Sequence, residues 1–166
     1  RFPTDDVIVA YCSVTDARYN LPANTVKQDC TAAIQAALDD ASAAGGGTVF
    51  LPKGSYRIEG TLTVPSNVFL RGRWRKITST QKFAGSLLIV VNRNGQPSIK
   101  LGGSGCGIRD LTLWRPSREG EVGAASKEPF FIRGNCGTVT FELVILFFPF
   151  FFFFSFSLFL FFLFFF

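Results

Sequence analysis

Apolar and polar residues alternate with two different periods between positions 30 and 72. The first period is helical, because small or aliphatic side chains recur at i, i+3, i+4 and i+7. These apolar positions are Ile34, Ala37, Leu38 and Ala41, and the opposite face carries Gln35, Asp39, Asp40 and Ser42. The pattern predicts an amphipathic helix over about 30–44, with Asp29 as its N-cap. The glycines at 45–47 end the helix, and its alanine-rich stripe can lie close to a flat apolar surface.

Beyond the glycines the period becomes two, which is typical of strands with one buried face. Short turns separate the alternating segments, at 52–54, at Gly60 and at 65–67. The apolar members of the four segments are Val49 and Leu51, Tyr56 and Ile58, Leu62 and Val64, and Val68 and Leu70. Strands of this length are too short to form a stable hairpin sheet alone, so they must pair with strands from elsewhere in the chain.

A longer repeat runs through the chain, with strand-like triplets at intervals of about 20 residues. The triplets contain Val49, Val68, Leu88, Ile108 and Phe131. A fixed repeat of this size predicts a solenoid with two or three strands per turn, each turn stacking in parallel on the one before. The helix would then cover the first turn, whose strand edges and apolar interior would otherwise be exposed. The expected fold class is therefore an all-β solenoid, a parallel β-helix with an N-terminal capping α-helix, in one domain over 1–145.

The chain resembles the N-terminal region of the pectate lyase superfamily, most specifically in TAAIQAALDDASAAGGGTVFLPKGSYRIEGTLTVPSNVFLRG at 31–72. The resemblance is to the rhamnogalacturonase/epimerase-like proteins, which are right-handed parallel β-helices. It continues through PSIKLGGSGCGIRDLTLW and FIRGNCGTVTFELV, and so extends over about 7–143. The segment AYCSVTDARYNLPANTVKQD differs from the usual opening of that family, which contains Phe-Gly-Ala and Gly-Asp-Gly.

The resemblance implies a polysaccharide partner and lyase or glycoside hydrolase chemistry in an extracellular, secreted protein. Catalytic residues of such families lie on central turns of a much longer helix, so none can be assigned to a position of this chain. The expected function is that of the N-terminal part of an enzyme acting on pectin or another glycan. Two alternatives are a non-catalytic glycan-binding or adhesive β-helix and a membrane-anchored β-helix protein.

Basic residues outnumber acidic ones, 17 to 12, and the net charge of +5 favours anionic partners such as acidic glycans. One basic cluster is RGRWRKI at 71–77. An indole can stack on a sugar ring, while arginines can pair with uronate carboxylates in bidentate geometry. The candidate substrate-binding residues are Arg71, Arg73, Trp74 and Arg75. The alternative is a solvated loop that leaves the coil. No nucleic-acid-binding module accompanies the cluster, so a nucleic acid is not expected as a partner.

Carboxylates do not form a recognisable catalytic pair in this sequence. Glycosidases need two carboxyl groups at a defined separation, and Asp110 has no identifiable partner. Asp110 is expected to point outward from its strand or to bond backbone amides at a turn. We expect the three glutamates of the following loop to be exposed to solvent. They are Glu119, Glu121 and Glu128. Histidine is absent and no clustered oxygen ligands are visible, so no metal or cofactor is predicted, and histidine acid–base chemistry is excluded within this stretch.

Four cysteines allow three pairings in an oxidising compartment, and they are Cys12, Cys30, Cys106 and Cys136. Cys106 and Cys136 each precede a glycine at the start of a predicted strand, so stacked corners could bring them together. A disulfide and a pair of small buried thiols are both compatible with this placement.

Residues 146–166 consist of Phe, Leu, Ser and Pro alone, which are the four amino acids that all-pyrimidine codons encode. We expect this tail to lie outside the fold and to result from translation of a polypyrimidine tract. A transmembrane segment is the alternative, since about 20 apolar residues span a bilayer, although Pro149 within the run argues against it. Sequencing of the spliced transcript should show no phenylalanine run after the codon for Ile145, and a message that still encodes the run would contradict this expectation.

Overall fold

The strands of the chain wind into a coil with three strands in each turn. The computed structural model describes residues 10–74, 85–91, 95–116, 132–134, 139–142 and 145–147. One α-helix, α1, extends over Thr31–Ala43 and follows a short 3-10 helix at Ala17–Tyr19. The strands in chain order are β1 (Cys12–Ser13), β2 (Gly47–Phe50), β3 (Gly54–Ile58), β4 (Leu62–Val64), β5 (Val68–Arg71), β6 (Ser86–Val90), β7 (Ile99–Leu101), β8 (Cys106–Arg109), β9 (Leu111–Trp114), β10 (Ile132–Gly134), β11 (Val139–Glu142) and β12 (Ile145–Phe147).

Three parallel sheets form the sides of the coil. Sheet 1 has the strand order β1-β2-β5-β8-β11, sheet 2 has β12-β9-β6-β3, and sheet 3 has β10-β7-β4. Every neighbouring pair is parallel, and successive strands along the chain from β2 onward enter sheets 1, 2 and 3 in turn. The predicted parallel β-helix is therefore confirmed, with three strands per turn.

The expected repeat of about 20 residues is wrong beyond the first turn. In sheet 1, Gly47 pairs with Val68, which is the expected interval, but the next strand of that sheet is β8. Leu88 belongs to sheet 2, where it pairs with Tyr56, so it does not lie one turn beyond Val68. The interval varies because the connections between strands differ in length, whereas strand register is fixed by the buried side chains. The last expected position, Phe131, lies outside the described residues.

Apolar side chains stack in ladders inside the coil. Matching positions of consecutive turns bring Val49, Leu70 and Ile108 together in sheet 1, and all three are 0% exposed. Burial of this kind stabilises the fold by about 1.5 to 3 kcal/mol for each aliphatic side chain. Tyr56 also points inward, and its hydroxyl donates to the carbonyl oxygen of Pro52 at 2.9 Å. Burial raises the pKa of Tyr56 to about 12.

Helix α1 forms where the periodicity predicts it, one residue shorter at each end. Its buried side chains are Ala33, Ile34, Ala37, Leu38 and Ala41. Asp29 Oδ1 accepts a hydrogen bond from the amide of Thr31 at 2.9 Å, so its carboxylate bonds the first turn, but the predicted N-cap assignment is wrong by one residue. The N-cap position itself is occupied by Cys30, whose side chain makes no capping hydrogen bond.

The helix and the chain before it meet the free edge of the first turn. In sheet 1, β1 pairs with β2, and in sheet 2 a parallel bridge joins Asp29 to Arg57 of β3. At the following corner, Thr31 Oγ1 accepts hydrogen bonds from the amides of Glu59 at 3.2 Å and Gly60 at 3.1 Å. Backbone groups at this edge of the described coil thereby find partners in the segment that precedes β2.

Gln35 takes the place of a neighbouring strand at the edge of sheet 3. Its Oε1 accepts from the amide of Thr63 at 2.8 Å, and its Nε2 donates to the carbonyl oxygen of Thr63 at 3.0 Å. The same nitrogen donates to Asp39 Oδ1 at 2.8 Å. Helical periodicity placed Gln35 on the face turned away from the core, but it did not indicate this contact, because periodicity does not specify which strand lies beside the helix.

Sheet 2 continues into the phenylalanine-rich segment. In β12, Leu146 lies opposite Leu113 and Phe147 lies opposite Trp114 of β9. The first two residues of the expected tail therefore belong to the coil, since backbone pairing in a parallel strand does not depend on a particular side chain. Residues 148–166 lie outside the described part of the chain. Among the described residues, no helix combines the length and apolarity that a membrane crossing requires.

Replacement of Gln35 by alanine should lower the free energy of unfolding by about 1 to 2 kcal/mol, because it leaves the partly buried amide and carbonyl of Thr63 without partners. Urea denaturation measures the change. The matched control is Gln28→Ala, at an exposed position, and its effect should stay within about 0.5 kcal/mol. Equal stability of the two variants would contradict the role assigned to Gln35.

Candidate functional site

The longer connections of the coil flank sheet 2. Between sheets 1 and 2, the second turn passes from β5 to β6 through 72–85, and between sheets 2 and 3 the third turn passes from β9 to β10 through 115–131. The corners between sheets 3 and 1 are short, at 65–67 and 102–105. Binding residues commonly lie on connections that a rigid scaffold positions. The outer face of sheet 2 and its borders are therefore the candidate site.

Side chains of mixed character project from the outer face of sheet 2. Strand register places Arg57, Ile89 and Trp114 in one outward column on consecutive turns, and all three are partly exposed. Arg57 Nε lies 2.6 Å from Glu59 Oε1. A cation, an aliphatic chain and an indole together provide the polar and apolar contacts that a carboxylated sugar can use.

Arg71 is held by an ion pair at the corner between sheets 1 and 2. Its Nε lies 2.9 Å from Asp110 Oδ2, and the two side chains are 18% and 19% exposed. Asp110 joins β8 to β9 in the left-handed conformation, with φ 59°, which aspartate tolerates better than most residues. Asp110 therefore occupies the turn that the sequence offered as the alternative to an outward strand position, and its carboxylate bonds the guanidinium of Arg71. Arg71 therefore links two turns of the coil.

Arg73 and Trp74 begin the connection that leaves sheet 1. The amide of Arg73 donates to Ser86 Oγ at 2.8 Å, and the amide of Ser86 donates to the carbonyl oxygen of Arg73 at 3.0 Å. These bonds close the base of the connection, while the Ser86 hydroxyl lies 2.7 Å from the carbonyl oxygen of Leu51. Arg73 is exposed and Trp74 is 45% exposed, so both side chains reach solvent from an anchored backbone. The fourth candidate, Arg75, lies outside the described residues.

The sequence cluster and the folded site overlap only in part. Arg73 and Trp74 remain candidates for ligand contact, whereas Arg71 already has a carboxylate partner. Arg57 and Trp114 were not singled out from the sequence, because their alignment depends on a register that the irregular repeat conceals. The loop glutamates, at 119, 121 and 128, lie outside the described residues.

Three cysteines of the described part are buried. Cys12 and Cys30 are buried free thiols, and burial raises the pKa of Cys30. Cys106 is buried and its Sγ lies 2.9 Å from the carbonyl oxygen of Gly103. The proposed partner Cys136 lies outside the described residues, so that disulfide stays a prediction. No group of three His, Cys, Asp or Glu side chains within the described ranges is placed to hold a metal ion.

A double-mutant cycle with Arg71→Ala and Asp110→Asn should give a coupling free energy of about 1 kcal/mol, because the pair is partly shielded from water. Because asparagine also tolerates a positive φ, the Asp110→Asn variant removes the negative charge without straining the backbone. The control cycle, Arg57→Ala with Glu59→Gln, concerns a more exposed pair and should give less than about 0.5 kcal/mol. Urea denaturation of the four proteins in each cycle measures both values, and an equal or larger coupling in the control would contradict the assignment.

Sequence comparison shows that the chain is similar to a mannuronan C5-epimerase and to an alginate lyase. The chain is 42% identical over 99 residues to mannuronan C5-epimerase AlgE6 of Azotobacter vinelandii, which is 51% of this chain and 10% of that protein. It is 38% identical over 112 residues to alginate lyase 7 of the same organism, which is 58% of this chain and 12% of that protein. The chain thus corresponds to a small fraction of the length of these relatives.

Solved structures show the same architecture. The A-module of Azotobacter vinelandii mannuronan C-5 epimerase AlgE4 superimposes with a TM-score of 0.53 at 25% sequence identity, covering 81% of this chain and 38% of that one. The model of the family described as rhamnogalacturonase A/epimerase, pectate lyase-like matches residues 19–134, which include the helix, the first turns and the border of sheet 2. The chain therefore belongs to the rhamnogalacturonase A/epimerase, pectate lyase-like family.

Proposed function

We propose that the chain is the N-terminal part of an extracellular enzyme that acts on an acidic polysaccharide by epimerase or lyase chemistry. The observation that carries this proposal is the likeness to mannuronan C5-epimerases and to an alginate lyase. A uronate polymer fits the net charge of +5 and the arginines that border sheet 2. Compared with the wider expectation of pectin or any other glycan, mannuronan-like polymers become the first substrates to test.

The two reactions named for these relatives share a first chemical step. In a mannuronate unit, C5 carries both a hydrogen and the carboxylate carbon, so removal of that proton leaves the electron pair delocalised onto the carboxyl group. An epimerase returns a proton to the opposite face of C5. A lyase instead lets the electron pair form a C4–C5 double bond while the C4–O bond to the neighbouring sugar breaks and the departing oxygen takes a proton from an acid. Both courses require a base, a proton donor and a cation beside the carboxylate.

The described residues support substrate binding better than they support the proton transfer. Trp74 offers an exposed indole at the border of sheet 2, with the exposed cation of Arg73 beside it along the chain. Arg57 and Trp114 lie on the outer face of the same sheet. We assign Arg73, Trp74 and Trp114 to contacts with the polymer, because Arg57 is already paired with Glu59. We place the base on turns of the coil beyond those described.

Helix α1 acts, in this proposal, as the N-terminal cap of the β-helix. Support comes from the hydrogen bonds that Thr31 and Gln35 supply to the edge of the first turn. Further support comes from the alanine-rich face, which is buried against the strands of the first turn and of sheet 1. A capped end keeps strand edges from pairing with other chains.

A non-catalytic glycan-binding module is the second candidate, because the carboxylates near the site are already engaged. Asp110 pairs with Arg71, and Glu59 pairs with Arg57. Neither carboxylate is poised as a free base within the described part of sheet 2 and its borders. A membrane-anchored protein, the third expectation, depends wholly on the tail at 148–166, which lies outside the described residues.

Trp74→Ala in the full-length protein should weaken binding of polymannuronate about fivefold to tenfold, or about 1 kcal/mol, through loss of an exposed stacking surface. The matched control is Tyr11→Ala, since Tyr11 is also 45% exposed but belongs to the edge of sheet 1. Isothermal titration calorimetry, which does not depend on tryptophan fluorescence, measures the affinity of both variants for polymannuronate.

Full-length wild-type protein incubated with polymannuronate distinguishes the candidate functions. Conversion of mannuronate to its C5 epimer, seen by NMR, or formation of unsaturated uronate, seen by ultraviolet absorbance, supports an enzyme. Binding with neither product supports the glycan-binding module. Binding of neutral glycans, with neither binding nor conversion of polymannuronate, would overturn the proposal of an acidic substrate.

A further inference from the structure

The polar side chains that the described part of the coil buries lie where sheet 2 meets its neighbours. Apart from tyrosines and cysteines, the buried polar or charged residues within the described ranges are Ser86, Ser98 and Arg115, which are 1%, 0% and 8% exposed. Ser86 begins β6 at the border with sheet 1, whereas Ser98 and Arg115 belong to the connections between sheets 2 and 3. Arginine is rarely buried in proteins, because the removal of a charge from water is costly.

Arg115 faces the interior of the coil directly after β9. Strand register pairs Ile89 with Trp114 on the outer face, and the next residues along the two strands are Val90 and Arg115. Val90 pairs in turn with Ile58 of the first turn, and each of these two aliphatic side chains is 1% exposed. A guanidinium thus follows two aliphatic side chains in one interior ladder. Because side chains alternate between the two faces along a strand, the inward position of Arg115 and the outward position of Trp114 are coupled.

Ser98 provides a contact for the buried guanidinium from the turn beneath it. Arg115 Nη2 donates to Ser98 Oγ at 3.4 Å. Ser98 is itself held in place, because the amide of Leu62 donates to its carbonyl oxygen at 2.8 Å. The hydroxyl of Thr61 also donates to the carbonyl oxygen of the neighbouring Pro97 at 2.7 Å. The corner between sheets 2 and 3 is therefore bonded through three consecutive turns of the coil.

The opposite border of sheet 2 has a similar arrangement. Ser86 Oγ accepts a hydrogen bond from the amide of Arg73, the residue before Trp74. Ser98 Oγ accepts from the side chain of the residue after Trp114. Both tryptophans of the sequence therefore lie next to a residue that is bonded to a buried serine. A fixed orientation of an indole before binding favours affinity, because less conformational freedom is lost in the complex.

We propose that Arg115 is a positioning residue that holds the Trp114 indole in the orientation that contacts a carboxylated polysaccharide. This inference rests on the proposed function for the identity of the ligand. Arg115 does not touch the polymer, because its side chain is buried inside the coil. Its hydrogen bond to Ser98 instead fixes the chain that follows β9, and with it the neighbouring indole. Arg115 thus raises the affinity through Trp114 and leaves the chemical step unchanged.

The first test measures the affinity of the full-length protein for long polymannuronate by isothermal titration calorimetry. Arg115→Met keeps a long side chain that suits the aliphatic ladder, so the free energy of unfolding should not fall. The affinity should nevertheless fall about threefold, and Ser98→Ala should weaken binding by a similar factor. In turnover of polymannuronate, KM should rise by about the same factor while kcat stays at the wild-type value.

Two double-mutant cycles show whether Arg115 acts through the neighbouring indole. Trp114→Ala alone should weaken binding about fivefold, and Arg115→Met added to it should change the affinity less than about 1.5-fold. The matched control uses the other exposed indole. In a Trp74→Ala background, Arg115→Met should still weaken binding about threefold, because the two tryptophans lie at opposite borders of sheet 2.

A second measurement follows the indole without any ligand. Isotopic labelling of the tryptophans allows NMR relaxation to report the order parameter of each indole N–H group. The Trp114→Ala and Trp74→Ala variants assign the two resonances. In Arg115→Met the order parameter of the Trp114 indole should fall, whereas that of the Trp74 indole should stay at the wild-type value.

The outcomes separate this inference from the proposed function. Wild-type affinity in Arg115→Met or in Ser98→Ala, or an undiminished effect of Arg115→Met without Trp114, would overturn the positioning role. An unchanged order parameter of the Trp114 indole would overturn it as well, whatever the polymer does. A lower free energy of unfolding with equal affinity losses in both backgrounds would show a merely structural residue. Failure of the wild type to bind or convert polymannuronate would overturn the proposed function, while a fall in the Trp114 order parameter would still support the positioning role.

Discussion

Each turn of this coil depends on hydrogen bonds from the turn beneath it. A parallel sheet satisfies its backbone amides and carbonyls through neighbouring strands, so the edge of the first described turn needs hydrogen-bonding partners from outside the regular turns. The chain before β2 provides them from several sources: the strand β1, a bridge at Asp29, the hydroxyl of Thr31 and the side-chain amide of Gln35. The N-terminal segment thus forms specific hydrogen bonds with backbone groups of the coil, in addition to covering an apolar surface.

The same architecture separates the parts of the chain that must stay regular from those that can vary. Inward ladders such as Val49, Leu70 and Ile108 require matched register, whereas the connections between strands can differ greatly in length. The longer connections here leave from the borders of sheet 2, and the corners between sheets 3 and 1 stay short. Residues in the connections around sheet 2 can therefore change at little cost to the interior.

Charge is distributed unevenly around the coil. At the border of sheet 2, Arg71 is fixed by Asp110, which ties two turns together and leaves Arg73 and Trp74 as the solvent-facing pair. On sheet 3, Lys100 and Arg133 face solvent on neighbouring turns. The exposed cations of the described part therefore lie on more than one side of the coil.

The sequence alone determined the local elements, because helical and alternating patterns reflect only which side chains must be buried. It predicted the extent of α1 to within one residue at each end, and the hydrogen bond that the Asp29 carboxylate accepts from the first helical turn. It also predicted the short strands from β2 to β5 and the family. It did not determine the spacing of the turns, since connection length has no periodic signal, and it therefore assigned Leu88 to the wrong sheet. Contacts between residues far apart in the chain were decided by the tertiary structure alone. Arg71 meets Asp110, Gln35 meets Thr63, and Lys100 lies beside Arg133, because register across turns is set by how the whole interior packs.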